Sequence, residues 1–232
     1  FSFNEPKGKF NFVWQNATLD NWREPLKDEA LTDALFESLK IAAISTVIAT
    51  VLGSLIAIGL SRYSFKGNAL LDFVLILPLT TPEIVIGSSL ATLFLDQDIT
   101  RGFTTIVIAH VMFQISFVAL TVRARVRGFD WTLADAAMDL GANPTRTFWK
   151  VTLPIITPGI LAAALLSFAL SIDDFIITYF NKGPSITTFP VYVWASAARG
   201  VPPQVNVIGS LMFFGALALV LLAQLAGKVK RR

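Results

Sequence analysis

Five stretches of the chain run almost without a polar break. They are IAAISTVIATVLGSLIAIGL (41–60), ALLDFVLILPLTTPEIVIGSSLATLFL (69–95), FTTIVIAHVMFQISFVALTV (103–122), IITPGILAAALLSFALSIDDFIITYF (155–180) and NVIGSLMFFGALALVLLAQLA (206–226). Crossing the hydrocarbon core of a bilayer takes about 20 residues as a helix. A lone strand leaves its backbone unsatisfied in lipid, so these runs are predicted as helices. The pattern predicts an all-α polytopic membrane protein, a helical bundle with five spans in this chain. Residues 1–33 are polar by contrast and hold six acidic residues beside Trp14 and Trp22. They read as a separate segment ahead of a transmembrane domain at 34–232. Its head, FSFNEPKGKF, reads as loop. Short helices are expected from Thr18 to Glu37, with Asp20 and Thr32 as N-caps. Asn16-Ala17-Thr18 matches a glycosylation acceptor, but so short a pattern is better read as chance.

Composition agrees with the lipid reading. Hydrophobic residues make up 54% of the 232 and charged ones 15%, with a mean hydropathy of +0.63. Soluble domains are nearer a quarter charged. No cysteine is present, which excludes disulfides and thiolate chemistry. No basic run with interleaved aromatics supports nucleic-acid binding.

Charge placement orients the spans. Arg62 and Lys66 follow the first. Arg123, Arg125, Arg127, Arg146 and Lys150 follow the third. Lys228, Lys230, Arg231 and Arg232 follow the fifth. The intervening loops carry Lys7, Lys9, Arg23, Lys27, Arg101, Lys182 and Arg199, four of them among the acids of the N-terminal segment. The richer set is expected to face the cytoplasm, with the C-terminus inside and residues 1–33 extracytoplasmic. The chain begins at Phe1 and starts outside, so a sixth, N-terminal span is expected ahead of it.

Three features inside the runs depart from plain lipid-facing helix. Ser45, Ala49, Gly53 and Ala57 form a small-residue stripe that lets helices approach closely, either within the chain or against a partner subunit. Pro78 and Pro82 predict a bent or broken second span, with Glu83 directly after. Broken backbone at membrane depth is tolerated where it is buried or lines a cavity. The fourth span carries two adjacent carboxylates, Asp173 and Asp174. At 1.5 Å per residue Asp173 lies roughly 22 Å along from Pro158, in the outer half of the membrane. There an acid needs a proton, a cation or water.

The loop 123–154 is the longest on the cytoplasmic side and is patterned as structure. Thr132 is placed to N-cap a short helix, with Asp135 at the capping-box position. Gly141 is placed to end that helix left-handed. Asn143 and Pro144 open a second helix, and Pro154 closes the loop. Asp135-Ala136-Ala137, Gly141, Val151 and Leu153-Pro154, at these spacings, resemble the EAA loop of ABC-importer permeases. The family has Glu where Asp135 stands and Ile where Val151 stands. The resemblance covers essentially the whole chain. TLDNWREPL at 18–26 resembles the family's entry sequence. Ser171, Asp173, Asp174, Gly183, Pro184, Gly200, Val201, Pro203, Val205 and Asn206 are similar to the spermidine/putrescine branch, specifically its second permease subunit. Importers of phosphonates, opines, iron or thiamine share much of this pattern.

That resemblance implies the type I ABC-importer permease fold in a bacterial inner membrane. It implies a heterodimer with a second permease subunit, two cytoplasmic ATPase subunits that bind ATP and Mg, and an extracytoplasmic solute-binding protein. The coupling residues it implies are Asp135, Ala136, Ala137, Leu140, Gly141, Leu153 and Pro154, with Phe148 and Trp149 in support. The chain itself has no Gly-x-x-x-x-Gly-Lys phosphate cradle, no nucleophile and no metal cluster, so it is expected to bind no cofactor and to be no enzyme alone.

Candidates for the path of a cationic small molecule are Asp173, Asp174, Glu83 and Trp194. For the aspartates a structural role, as a cap or an inter-subunit ion pair, stays open beside substrate contact, since the sequence names no in-chain partner. His110, one turn from Gln114, reads as a hydrogen-bonded packing residue. Tyr192 and Trp194 suit the membrane interface. In a runner-up reading, Glu83, His110, Asp173 and Asp174 form the relay of an ion-coupled secondary transporter. That reading lacks an internal repeat and leaves the cytoplasmic loop unexplained.

Overall fold

The computed structural model describes the backbone of residues 1–229 and the side chains of 1–218. Lys230, Arg231 and Arg232 lie outside the described residues, and so does the Lys228 side chain. The predicted cluster of cations at the C-terminus therefore goes without a structural account.

Among the described residues, eleven helices follow two minimal strands. The strands are β1 (Asn4–Glu5) and β2 (Asn16–Ala17). The helices are α1 (Asp20–Arg23), α2 (Glu29–Arg62), α3 (Asn68–Thr80), α4 (Glu83–Asp96), α5 (Phe103–Val126), α6 (Thr132–Asp139), α7 (Pro144–Thr147), α8 (Leu153–Ile172), α9 (Ile176–Asn181), α10 (Phe189–Ala197) and α11 (Pro203–Val229). A π-helical turn, Phe148–Thr152, joins α7 to α8. Helices α2, α5 and the continuous run Pro144–Ile172 are each long and apolar enough to cross a membrane. Helices α3 and α4 together are long and apolar enough for one further crossing and are bent by 105° at their break.

The chain divides into two compact units, residues 1–36 with 188–232 and residues 37–187. In the first unit the head is loop apart from Asn4–Glu5, and it is held in place by hydrogen bonds. Strands β1 and β2 pair antiparallel. The buried Asn4 amide donates to Asn11 Oδ1 (2.5 Å) and to the Val13 carbonyl (2.9 Å), and its carbonyl oxygen accepts from Gln15 N (2.7 Å). Leu31, Val205 and Ile208 form the apolar core. The predicted caps move. Asp20 is the first residue of α1 rather than its cap, and Thr18 Oγ1 accepts from its amide. Thr32 lies inside α2, whose first turn is capped by Asp28 Oδ1, accepting from Leu31 N at 2.8 Å. The first span thus starts at Glu29, about a dozen residues ahead of the apolar run. An amphipathic stretch extended by a good cap outruns what hydropathy alone registers. Asp28 Oδ2 also accepts from the Tyr192 hydroxyl at 3.0 Å. Burial, then this bond, raises the pKa of the phenol.

The second unit is built around α5, which packs on α8, α3, α9 and α4. Its main core joins Ala49 and Ala57 of α2, Val118, Val122 and Val126 of α5, Phe129, Ala134 of α6, and Ile156 and Ala163 of α8. The small-residue stripe is therefore used within the chain: Ala49 and Ala57 are fully buried, and Gly53 lies against Val118. Large apolar side chains such as Val47, Leu55, Leu70, Leu161 and Leu165 are more than half exposed, as a lipid-facing or partner-facing surface requires.

The fourth span is not one continuous helix from 155 to 180. It begins earlier, through the π-helical turn, with Pro154 inside the first turn of α8 rather than closing the loop. It then breaks at Asp173 and resumes as the short α9.

Candidate functional site

The two breaks face one cavity. Thr81 and Pro82 separate α3 from α4, while Asp173, Asp174 and Phe175 separate α8 from α9. Between them lies a space of about 580 Å³ walled by Pro78, Glu83, Phe113, Phe117, Asp173 and Asp174 among others. Three of the predicted path residues, Glu83, Asp173 and Asp174, come together here. Among the described residues, none of those lining it is Lys or Arg. Trp194 belongs to the other unit, on α10, and is 66% exposed.

The two aspartates have different surroundings. Asp174 is buried, and α9 begins on it. Its Oδ1 accepts from Ile177 N (3.3 Å), and its Oδ2 accepts from Thr178 N (2.7 Å) and from the Thr178 hydroxyl (2.8 Å). His110 Nε2 stands 3.2 Å from the same Oδ2. Asp174 therefore has an in-chain partner that sequence reasoning did not name. His110 is 1% exposed. Its Nδ1 lies 2.7 Å from Ser171 Oγ and its Nε2 lies 2.9 Å from Thr178 Oγ1. Ser171 Oγ in turn lies 3.2 Å from Ser45 Oγ of α2. Because the Thr178 hydroxyl donates to Asp174, its remaining hydrogen bond is with Nε2–H of His110, while Nδ1 and the Ser171 hydroxyl share the other. One histidine thus fastens the last turn of α8 to the first turn of α9. Gln114, one turn along α5, donates to the Ser167 carbonyl at 3.2 Å. The packing role expected of His110 has this geometry. Asp173 ends α8, with its amide donating to the Ala169 carbonyl at 3.3 Å. Its side chain opens on the cavity.

The far end of α9 is tied equally well. Its Phe180 carbonyl accepts from Arg101 Nη1 (2.9 Å) and its Asn181 carbonyl from Thr105 Oγ1 (2.8 Å). In this unit the loops predicted to lie outside, around Arg101 and Asn181, meet one another. Those predicted to lie inside meet at the opposite end of α5.

At that inner end stands the predicted coupling knob, α6 and α7. Thr132 does not cap α6. Asp130 does, its Oδ1 accepting from Thr132 N (3.0 Å) and from the Thr132 hydroxyl (2.7 Å). These two bonds, the hydroxyl's first, hold the Asp130 carboxyl below its ordinary pKa. Asp135 makes no capping box. It pairs instead with Arg62 Nη2, at the end of α2, at 2.7 Å. Gly141 has φ +89 and ends α6 left-handed as expected. Asn143 Oδ1 caps α7, accepting from Arg146 N at 2.8 Å, with Pro144 at the first position. Ala134 roots the knob in the core, while Leu140 at the tip is 90% exposed. Trp149 is 62% exposed. Ala136 and Ala137 lie on α6, and Leu153 and Pro154 open α8 behind the knob.

A model of the binding-protein-dependent transport system inner membrane component family matches residues 49–227. The chain is 37% identical over 227 residues to the putrescine transport system permease protein PotI of Escherichia coli strain K12, covering 95% of this chain and 80% of that protein. It is 36% identical over 225 residues to the spermidine/putrescine transport system permease protein PotC of Haemophilus influenzae, covering 97% and 86%. Among solved structures, a subunit of a bacterial ABC transporter that imports alginate superposes with a TM-score of 0.68 at 14% identity, covering 97% of this chain and 86% of that one. An amino acid ABC transporter gives 0.67 at 18% identity, covering 92% and 99%. At such identities the structures speak for the fold alone. Fold, family match and relatives agree: the chain belongs to the binding-protein-dependent transport system inner membrane components, the permease subunits of ABC importers.

Proposed function

We propose that this permease passes a linear polyamine, of the spermidine/putrescine kind, into the cytoplasm by alternating access. The observation that carries the reading is the cavity between the two breaks, walled by Glu83, Asp173 and Asp174 and, among the described residues, by no Lys or Arg. The names of the relatives point to the same cargo. Fixed negative charge in a water-accessible space lowers the cost of a polycation at membrane depth, provided release stays easy. Of the three acids, Asp174 has its oxygens engaged in the cap, which leaves Asp173 and Glu83 as the groups that meet the cation.

The power comes from outside the chain. ATP and Mg are held by two partner ATPase subunits, and their closure moves the knob that carries Asp135, Ala136, Ala137, Leu140 and Gly141. Leu153 and Pro154 pass that motion into α8, and the bundle rocks against a second, related permease subunit. A solute-binding protein delivers the cargo outside, where Trp194 is an aromatic station for a cation. The C-terminus lies in the cytoplasm.

Uptake of labelled spermidine and putrescine by the reconstituted complex tests the reading. Asp173→Asn and Glu83→Gln each remove one charge and should raise the half-saturating concentration about tenfold, the equivalent of about 1.4 kcal/mol. Uptake of neither polyamine, with the complex intact and hydrolysing ATP, would transfer the chain to another cargo.

A further inference from the structure

We propose that Arg62 is a positioning residue of the coupling knob, binding the inner end of α2 to α6 through Asp135 and Trp131. The inference rests on the reading of α6 and α7 as the coupling element. Arg62 is the last residue of α2, where a cation is favoured by the helix dipole. Its Nη2 donates to Asp135 Oδ1 at 2.7 Å. Its Cζ lies 4.8 Å from the centroid of the Trp131 ring, within range of a cation–π contact. Trp131 meets Phe129 edge-to-face at 4.7 Å, and Phe129 is buried in the core shared by α2, α5, α6 and α8. One planar guanidinium therefore takes a carboxylate at its edge and an indole on its face. Lysine cannot reproduce that geometry.

The family pattern places the longer Glu where Asp135 stands. In this chain the shorter acid is occupied by Arg62 within the same subunit. The base of the knob is thereby fixed to α2, while the tip, Leu140 and Gly141, stays open. A push received at the tip reaches α2 through this joint as well as α8 through the continuous helix behind α7. A single exposed ion pair adds little stability. The joint is therefore expected to affect the transmission of motion more than the melting temperature.

The test is a charge exchange in the full complex reconstituted in liposomes, reading cargo taken up per ATP hydrolysed. Arg62→Asp and Asp135→Arg should each lower that ratio about fivefold, the low end of allosteric coupling, with the ATPase subunits still co-purifying. The double exchange should recover part of the ratio, since it restores the ion pair with its sense reversed but not the stacking on Trp131. Arg62→Lys, which keeps charge and loses the flat face, should fall between. If the double exchange is no better than the poorer single change, or if Arg62→Lys and Arg62→Asp both leave the ratio untouched, the joint is incidental and the proposal fails. Gly141→Asp separates that failure from failure of the underlying reading. If it uncouples hydrolysis from uptake while the Arg62 variants do not, the knob still couples and only the joint is lost. If it leaves uptake untouched, the knob is not the coupling element.

Discussion

Two spans of this permease break near the same cavity, and they break by opposite physics. Between α3 and α4 the chain is bent by covalent constraint. Pro82 cannot donate a backbone hydrogen bond, and its ring forces Thr81 out of helical geometry, to φ −82 and ψ 132. The hydroxyls of Thr80 and Thr81 then donate to the Leu77 carbonyl at 3.1 and 2.7 Å. Between α8 and α9 there is neither proline nor glycine. Here the break exists because a buried carboxylate outcompetes the helix for its own amides, and because His110, Ser171 and Thr178 complete the polar set. The first break is specified by residues within the break itself; the second is only as good as its hydrogen bonds.

The largest effect should come from removing the acid that makes the second break. Asp174→Ala strips the acceptor from two buried amides and from the Thr178 hydroxyl, and should destabilise the protein by about 3–5 kcal/mol, since each stranded buried donor costs about 1–3 kcal/mol. Asp174→Asn keeps one oxygen and the shape, and should cost about 1–2 kcal/mol. Thermal unfolding of the purified complex in detergent reads both. An unchanged midpoint for Asp174→Ala would mean that packing alone holds α8 and α9 apart, and the contrast between the breaks would dissolve.

A smaller effect is expected where the two breaks depend on each other. Helices α4 and α9, each the short continuation of a broken span, pack together at Gly87. A Cβ added there would stand 3.2 Å from Phe180 Cδ2 and 3.3 Å from Ile177 Cα. The Gly87 carbonyl also accepts from Asn181 Nδ2 at 3.2 Å. Gly87→Leu therefore overfills a contact with backbone on its far side and should cost about 1–3 kcal/mol. Asp173→Asn in the same assay is the control, since it changes charge in the cavity without touching this seam. Equal losses from the two would mean that the unfolding reports the cavity rather than the packing of α4 on α9.

Much of this architecture is legible in the residues, and the difference between the breaks explains what is not. Length and apolarity specify the spans, because lipid leaves the backbone no alternative to helix. Pro78 and Pro82 announce the first break, since proline acts through its own covalent structure. Gly141 and Asn143-Pro144 announce the turn of the knob for the same local reason. The second break is hidden, because Asp174 works only with His110, which is 64 positions earlier. Its trace is a polar line, Ser171, Asp174 and Thr178, at helical spacing in a largely apolar run, and all three meet His110. Nearby competitors displace the predicted caps. Asp130 stands two residues before Thr132 and Asp28 four before Thr32, and a carboxylate is the stronger acceptor at a helix start. The Arg62–Asp135 pair spans 73 positions, and spacing alone does not assign such a pair.

The smallest effect, and the sharpest test of the contrast, belongs to Pro82→Ala. Alanine restores the missing donor and frees Thr81 from the ring, so that α3 gains the option of continuing into α4. If the bend is set by the proline, stability should change by no more than about 1 kcal/mol, because the lost rigidity of the unfolded chain and the regained hydrogen bond offset one another. The shape should nonetheless change. Spin labels at Leu70 and Leu95, both more than half exposed, report the distance across the 105° bend. In the native sequence that distance should be single and narrow, and in Pro82→Ala it should broaden toward longer values as the two helices sample a straighter arrangement. A variant that keeps the narrow distribution would assign the bend to the threonine hydroxyls and to the packing of α4 on α9. Both breaks would then be held by tertiary contacts, and proline would mark the first break without causing it.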